Sequence, residues 1–300
     1  MDIQQTPAAK KTFYPIPLSE EVEVELDFTQ WFESLYAFNQ NFLSEIRDAQ
    51  LEDKPKPQKK RKRKQLGYRV YNVPGGERQL CIRNASICSE EQIRDLWKKN
   101  KITALSVIDH KITQEALCAL MKQAGELGKD LHDLTFSGNT LEKEAFEHLA
   151  SLIEERPSIC ELGIERIPLN IEKIKMLGKA VLKPSIEHLD LFSMELNDTS
   201  LEGLIKVLGE DCSLKHLSLG MNEITSAPME KLAKLLNSHP TFKCVQLNGN
   251  QIGFKGAKKL IKTIDPKKEG KIFLKNNPIK GDEKGLLLQL AQKKKIQVIV

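Results

Sequence analysis

Two stretches of this sequence, 28 residues apart, place the same residue types at the same positions. The first is LKHLSLGMNEI (residues 214–224) and the second is FKCVQLNGNQI (residues 242–252). In both, apolar residues occupy positions 1, 4, 6 and 11, and asparagine occupies position 9. Alternation across positions 4 to 6 is typical of a strand, whereas the residues after position 11 follow helical spacing. One strand and one helix cannot bury their apolar faces alone, so this pattern predicts units that stack side by side.

The same frame recurs along most of the chain. Its copies start at Glu77, Ile102, Leu131, Ile159, Ile186, Leu214, Phe242 and Glu269. Position 9 is asparagine in four copies, at Asn139, Asn222, Asn250 and Asn277, and is Ala85, His110, Ile167 or Met194 in the others. Residues 296–300 supply a closing strand. The sequence therefore predicts about eight strand-and-helix repeats.

The frame LxxLxLxxNxL followed by a full helix resembles the leucine-rich repeats of the ribonuclease-inhibitor-like subclass. The resemblance covers residues 77–300 and implies an α/β horseshoe, a solenoid with a parallel inner sheet and outer helices. Geometry favours the same curvature, because paired strands lie ~4.8 Å apart whereas packed helices need ~10 Å. The missing asparagine in the middle repeats leaves their loop geometry open.

The net positive charge of this chain comes from one segment. The formal net charge is +5, yet residues 54–64 hold eight basic residues and no acidic one, so the rest of the chain carries −3. This argues against a nucleic-acid footprint over the whole body. No apolar run approaches ~18 residues and the N-terminus lacks a secretory signal, so we expect no membrane span and no export by that route.

The six cysteines form no CxxC pair and show no metal-ligand spacing. We therefore expect reduced thiols in a cytosolic or nuclear compartment, with neither a metal nor a cofactor.

The residues before the repeats divide into two segments. Residues 1–53 form an N-terminal extension whose helix, from Asp27 to about residue 50, carries an unusually aromatic face. The face consists of Phe28, Trp31, Phe32, Leu35, Phe38, Phe42 and Ile46. Such a stripe must be covered. Either it packs on the first repeat or forms a small subdomain, or it docks a partner, or it lies across the horseshoe until a partner displaces it.

Residues 54–67 form a basic, proline-containing linker between this extension and the repeat domain at residues 68–300. Charge repulsion and Pro55 and Pro57 predict that it stays extended and solvated. Its central run matches the clusters that nuclear-import receptors read, namely Lys59, Lys60, Arg61, Lys62, Arg63 and Lys64. A contact with ribosomal RNA or another polyanion, or no specific role, are the alternatives. Residues 68–73 (YRVYNV) read as a strand that could cap the edge of the sheet.

The inner face of the predicted sheet is the candidate binding surface. Frame positions 3, 5, 7 and 8 project from it, and they change from acidic in the middle repeats to basic in the C-terminal third, with Phe192, Met221 and Phe273 as exposed apolar candidates. We expect the partner contacts among Glu161, Glu165, His188, Asp190, Phe192, His216, Met221 and Phe273. The alternative is a merely solvated sheet face.

His188 and His216 share a frame position one repeat apart, so their side chains could lie ~5 Å apart. With Asp190 nearby, this arrangement would permit metal binding or acid–base chemistry. The sequence shows no strained nucleophile turn and no glycine-rich phosphate loop, so we expect no enzyme.

These observations together predict a non-catalytic scaffold that binds a macromolecular partner on its concave face and reaches the nucleus through its basic run. One alternative is a nucleic-acid or ribosome-binding protein, whose affinity would fall steeply with salt. Another is a GTPase-activating protein of the leucine-rich-repeat type, for which no activating residue stands out. The lysine-rich, irregular repeats and N-terminal extension also resemble leucine-rich-repeat effectors of intracellular bacteria, which would place the protein in a host cell's nucleus and cytoplasm.

Overall fold

The computed structural model of this protein describes residues 68–73, 77–82, 90–108, 112–181, 185–209, 214–267 and 270–300. The predicted aromatic helix, the basic linker with its 59–64 run, and the boundaries at residues 53 and 67 lie outside the described residues.

Within the described residues the strands form one ten-stranded sheet whose order follows the sequence. They are β1 Tyr68–Val73, β2 Glu77–Ile82, β3 Ala104–Val107, β4 Asp133–Ser137, β5 Glu161–Glu165, β6 His188–Asp190, β7 His216–Ser218, β8 Cys244–Gln246, β9 Lys271–Phe273 and β10 Gln297–Ile299. Strands β2 to β10 are parallel, and β1 pairs antiparallel with β2. Both predicted terminal strands are therefore confirmed: β1 covers one edge and β10 extends the other.

A helix connects each pair of successive parallel strands and packs against the next helix along the array. The helices are α1 Glu90–Lys99, α2 Gln114–Leu127, α3 Lys143–Glu155, α4 Ile171–Val181, α5 Asp198–Leu208, α6 Met229–Ser238, α7 Phe254–Thr263 and α8 Gly281–Lys294. In the part of the chain that the structure describes, none of these helices is long and apolar enough to cross a membrane.

The core confirms the repeat frame. Positions 4 and 6 of every repeat point towards the helices, and both are at most 2% exposed from Leu80 and Ile82 to Ile272 and Leu274. These side chains join those of the helices in one continuous hydrophobic cluster. A solenoid of this kind is one core rather than two domains.

The position-9 asparagines Asn222, Asn250 and Asn277 connect neighbouring repeats. Asn250 Oδ1 accepts from the backbone N–H of Ile224 at 3.1 Å, and its Nδ2 donates to the carbonyls of Leu219 at 2.8 Å and Leu247 at 3.1 Å. The buried side chain thus satisfies backbone groups of its own repeat and of the preceding one. Asn277 repeats this pattern in the next unit.

Two described repeats that lack this asparagine, with Ile167 and Met194 at position 9, keep the same turn. In six successive repeats, position 8 has a positive φ, at Gly138, Arg166, Ser193, Met221, Gly249 and Asn276. In five of these six repeats the backbone N–H at that position donates to the position-7 carbonyl of the next repeat, as from Ser193 to Gly220 at 2.9 Å. The loop geometry that the sequence left open is therefore uniform, because the backbone ladder fixes it even at three residues that are neither glycine nor asparagine.

Candidate interaction surface

The face of the sheet opposite the core carries the side chains of frame positions 3, 5, 7 and 8; we call it the open face. Strand register aligns equal frame positions, so Glu161, His188 and His216 lie side by side across β5, β6 and β7. Asp190 lies between Gly163 and Ser218 in the next row. Strand pairing thus brings together the acidic and histidine residues that the sequence singled out.

The two histidines form a compact, uncharged centre on the open face. Their ring centroids are 4.3 Å apart, which confirms the predicted proximity, and Nδ1 of His188 is 3.5 Å from Oε1 of Glu161. Burial lowers the pKa of His188 to about 4 and that of His216 to about 3. Both imidazoles are therefore neutral at pH 7, and groups with such low pKa values are weak general bases.

A metal ion between these histidines is not supported by the geometry. Within the described ranges, neither His188 nor His216 belongs to a set of three potential ligands whose donor atoms lie within 4.8 Å of one another.

Two carboxylates share the acidic centre beside the histidines. Glu165 is 4% exposed; its Oε2 accepts from Ser137 Oγ at 3.2 Å and lies 3.7 Å from Nη2 of Arg166. Burial, followed by the charge of Glu165, raises the pKa of Asp190 to about 7, although hydrogen bonds from Ser218 and the Phe192 backbone oppose that rise. Burial likewise raises the pKa of Glu165. These two charges are poorly solvated and repel each other.

Glu165 is less accessible than the sequence predicted. Its position in the frame projects to the open face, but Arg166 donates to Ser137 Oγ from both Nε, at 3.1 Å, and Nη2, at 2.6 Å. This arginine at position 8 lies against both Ser137 and the Glu165 carboxylate, which is why the carboxylate is buried rather than exposed.

The apolar candidates differ in exposure. Met221 is 54% exposed, and it lies over Gly249, where an added Cβ would collide with its sulfur. Phe192 is half-buried rather than exposed, because its ring lies against Gly220, where an added Cβ would come within 3.1 Å of it. Phe273 in β9 is also half-buried. Met221 is thus the one exposed residue of the three, and Phe192 and Phe273 are more covered than expected.

The C-terminal third of the surface is basic, as the sequence predicted. Lys243 and Lys275 are exposed, and Lys271 is half-buried in β9. One cation at the border is already paired, since Lys215 Nζ contacts Glu187 Oε2 at 2.6 Å. The open face therefore has a polarity along the array, from carboxylates in β5 and β6 to lysines near β8 and β9.

The pairing of Glu165 with Asp190 was not predicted from the sequence. Position 7 of one repeat and position 5 of the next are diagonal neighbours on parallel strands. The repeat frame alone therefore places Glu165 and Asp190 close enough to interact. The absent side chain at Gly163, beside Asp190, was a second available signal.

Comparison with known proteins identifies the repeat. A family model described as "Leucine Rich repeat" matches residues 210–233 and 238–260, which include the two stretches that define the frame. No curated protein matches the chain. The chain is similar to a Bacteroides fragilis protein whose crystal structure was a structural-genomics target. That similarity has 12% sequence identity and a TM-score of 0.46, and it covers 71% of this chain and 72% of that one.

Proposed function

Because this chain is a leucine-rich-repeat protein, whose fold suggests a protein–protein interaction scaffold, we propose that it binds a protein partner on its open face. The observation that carries the proposal is the pair of poorly solvated carboxylates, Glu165 and Asp190, on the same open face as the exposed Met221. Folding alone gains little from this arrangement: Arg166 offsets part of the Glu165 charge, yet burial and Glu165 still raise the pKa of Asp190 to about 7, so a further cation would stabilise the pair.

A partner can supply that cation. An arginine or lysine placed over Gly163 would reach the carboxylates of Asp190 and Glu161, and would offset the charge that Glu165 and Asp190 impose on each other. The lysines in the C-terminal third of the open face then favour acidic residues in the part of the partner that lies next to this cation. The ligand that fits is a segment with basic residues beside acidic ones.

Met221 and Phe192 provide the apolar part of the same surface. Met221 is exposed and has a φ of 55°, a conformation that costs a non-glycine residue roughly 1–2 kcal/mol. Apolar anchors ringed by polar contacts are the usual centre of a protein interface. A flexible methionine at such a position suits contact with a partner, because its side chain adapts to irregular surfaces.

The proposal is of a scaffold and not of an enzyme. The two imidazoles on the surface have pKa values of about 4 and 3, too low for efficient proton transfer at pH 7. The repeats are already ordered by their shared core, so binding need not order the backbone and its entropic cost is small.

A random peptide library displayed on phage tests this proposal with the full-length protein. We expect the selected peptides to be enriched in arginine or lysine next to apolar residues, and Met221→Ala and Asp190→Asn to reduce their binding. Glu172→Gln is the matched control, because Glu172 is exposed in the first turn of α4 on the helix side. Peptides without basic enrichment, or peptides that bind Met221→Ala as well as the wild type, would refute the proposal.

We further propose that the basic run 59–64 is read by a nuclear-import receptor and distributes the protein between nucleus and cytoplasm. The support is the local excess of charge in residues 54–64, which contain this run, in a chain that otherwise carries −3. Action inside a host cell as a bacterial effector stays a prediction from the broad resemblance of the repeats.

A further inference from the structure

The helix side of the array holds a set of metal-ligating side chains that the proposed binding function does not use. Cys118 lies in α2, and Glu144 and His148 lie one turn apart in α3. One donor atom from each of the three, the thiol sulfur, a carboxylate oxygen and an imidazole nitrogen, lies within 4.8 Å of the other two. We propose that Cys118, Glu144 and His148 bind a divalent transition-metal ion of the zinc type.

The helices hold these three residues in place. Thr113 Oγ1 accepts from the backbone N–H of Ala116 and fixes the start of α2, five residues before Cys118. Glu144 and His148 are four residues apart, so they share one face of α3, and Nε2 of His148 is 3.8 Å from Oε1 of Glu144. The thiol of Cys118 is buried at the side of this pair, whereas Glu144 is exposed and can rotate towards it.

The distances suit one ion. Zinc bonds to sulfur, nitrogen and oxygen are about 2.0–2.3 Å, so tetrahedral ligands lie roughly 3.3–3.7 Å from one another. The three donor atoms reach that separation through small side-chain rotations. Thiolate, imidazole and carboxylate together select zinc or a similar ion over calcium or magnesium, which prefer oxygen ligands.

The charges balance in the same arrangement. The ion takes the place of the thiol proton, which is released to solvent, so a thiolate and the Glu144 carboxylate neutralise a divalent cation while His148 stays neutral. Lys122, one turn along α2 from Cys118, is exposed and can turn away from the ion.

The fourth ligand has a route to the site. His148 also lines a groove of about 430 Å³ between α2 and α3, together with Met121, Gly125 and Glu155. The missing side chain at Gly125 keeps the groove open. A water molecule or a small ligand can therefore complete the tetrahedron, as in sites with three protein ligands.

Other helix pairs are joined differently. Lys231 pairs with Glu202 at 2.7 Å between α5 and α6, and Lys259 pairs with Glu230 at 2.6 Å between α6 and α7. At the α2–α3 junction, a cysteine, a glutamate and a histidine meet instead. The sequence did not indicate this group because its members come from two repeats, whose spacing matches no local metal motif.

Cobalt(II) titration of the full-length, chelator-treated protein tests the proposal, because cobalt reports thiolate ligation by its absorption. We expect one equivalent to give a thiolate-to-metal charge-transfer band and tetrahedral d–d bands, and one equivalent of zinc to displace both. Cys118→Ser should remove the charge-transfer band. Glu144→Gln and His148→Gln should each weaken binding at least about tenfold, since even outer-shell partners contribute that much.

Cys160→Ser is the matched control, since Cys160 is half-buried on the sheet side and should leave the band unchanged. Glu144 and His148 are at the surface, so their variants remain informative if Cys118→Ser fails to fold. The proposal is overturned if no charge-transfer band appears, or if the band depends on a cysteine other than Cys118. It is equally overturned if the Glu144 and His148 variants bind cobalt like the wild type.

Discussion

Asn222 accepts a hydrogen bond at its Oδ1 from the backbone N–H of Met194, one repeat earlier, at 2.8 Å. The same oxygen accepts from Leu196 at 3.1 Å, and Nδ2 donates to the carbonyls of Leu191 at 2.9 Å and Leu219 at 3.0 Å. One buried amide thus satisfies four backbone groups in two repeats, where water cannot replace it.

Replacement of Asn222 by alanine should therefore be costly. Each buried backbone group left without a partner costs about 1–3 kcal/mol, so we expect Asn222→Ala to lower the free energy of unfolding by about 3 kcal/mol. Urea unfolding measures this change. Asn277→Ala is the comparison, because Asn277 holds the same frame position but is partly exposed, where water can substitute. Equal losses in both variants would contradict this account.

The repeat frame made most of the fold predictable. Positions 4 and 6 had to be apolar to cover the helices, and every one of them is buried. The role of asparagine at position 9 could be predicted, because its side chain has both a donor and an acceptor and can hydrogen-bond to adjacent backbone N–H and C=O groups. The positive φ at position 8 could not be predicted for Arg166, Ser193 and Met221. Backbone hydrogen bonds to the next repeat impose this conformation, rather than the local preference of these residue types.

The site was predictable only in outline. Frame positions placed Glu161, His188 and His216 in one row, because strand register follows directly from the frame. The burial of Glu165 was not predictable, since it depends on where the Arg166 side chain turns. The group of Cys118 with Glu144 and His148 depends on how two helices are offset, which no single repeat encodes.

The repeat with methionine at position 9 offers a test of the asparagine frame. Met194 Sδ accepts from the backbone N–H of Ile167 at 3.4 Å, so sulfur occupies the site where an asparagine oxygen would lie. We expect Met194→Asn to change the free energy of unfolding by no more than about 1 kcal/mol, because new hydrogen bonds offset the lost apolar contacts. The same substitution at Met229, which is fully buried among helix contacts, should cost more than about 3 kcal/mol. Similar losses at both positions would show that the turn does not accept asparagine there.

The basic run gives a prediction about location. Changing Lys60, Arg61 and Lys62 to alanine removes half of the run, so a tagged protein should shift from the nucleus to the cytoplasm of eukaryotic cells. The melting temperature should not change, because these residues precede the repeat core. Substituting Lys293, Lys294 and Lys295 provides a control of equal charge. Fluorescence microscopy measures the distribution, and an unchanged nuclear fraction would refute the import hypothesis.

Phe192 gives a prediction about binding. Its half-buried ring lies over Gly220 on the open face, so Phe192→Ala should weaken binding of a peptide selected on the wild type by about 2 kcal/mol. The free energy of unfolding should fall by about 1 kcal/mol, because much of the ring already contacts water. Calorimetric titration and urea unfolding separate the two effects. A loss of stability that exceeds the loss of binding would identify Phe192 as a core residue.

Asp190 gives a prediction about pH. Its pKa is raised from 3.8 to about 7 in the folded protein, so between these values the folded state holds a proton that the unfolded state has released. Stability contributed by this group is therefore full below about pH 4 and is lost as the pH rises towards 7. Asparagine does not titrate, so Asp190→Asn should gain stability relative to the wild type between about pH 4 and pH 8, by on the order of 2 kcal/mol.

The difference in stability between Asp190→Asn and the wild type isolates the titration of Asp190 from that of the nearby histidines. The pKa values of His188 and His216 are lowered to about 4 and about 3 from 6.5, so these groups make stability rise with pH up to about 6.5. That opposing trend is present in both proteins and cancels in their difference. Asp130→Asn serves as the control for an exposed carboxylate, and urea unfolding across the pH range provides the measurement. If the stability of Asp190→Asn follows the wild type in parallel at every pH, then folding does not raise the pKa of Asp190, and the open face lacks the electrostatic reason to bind a basic partner.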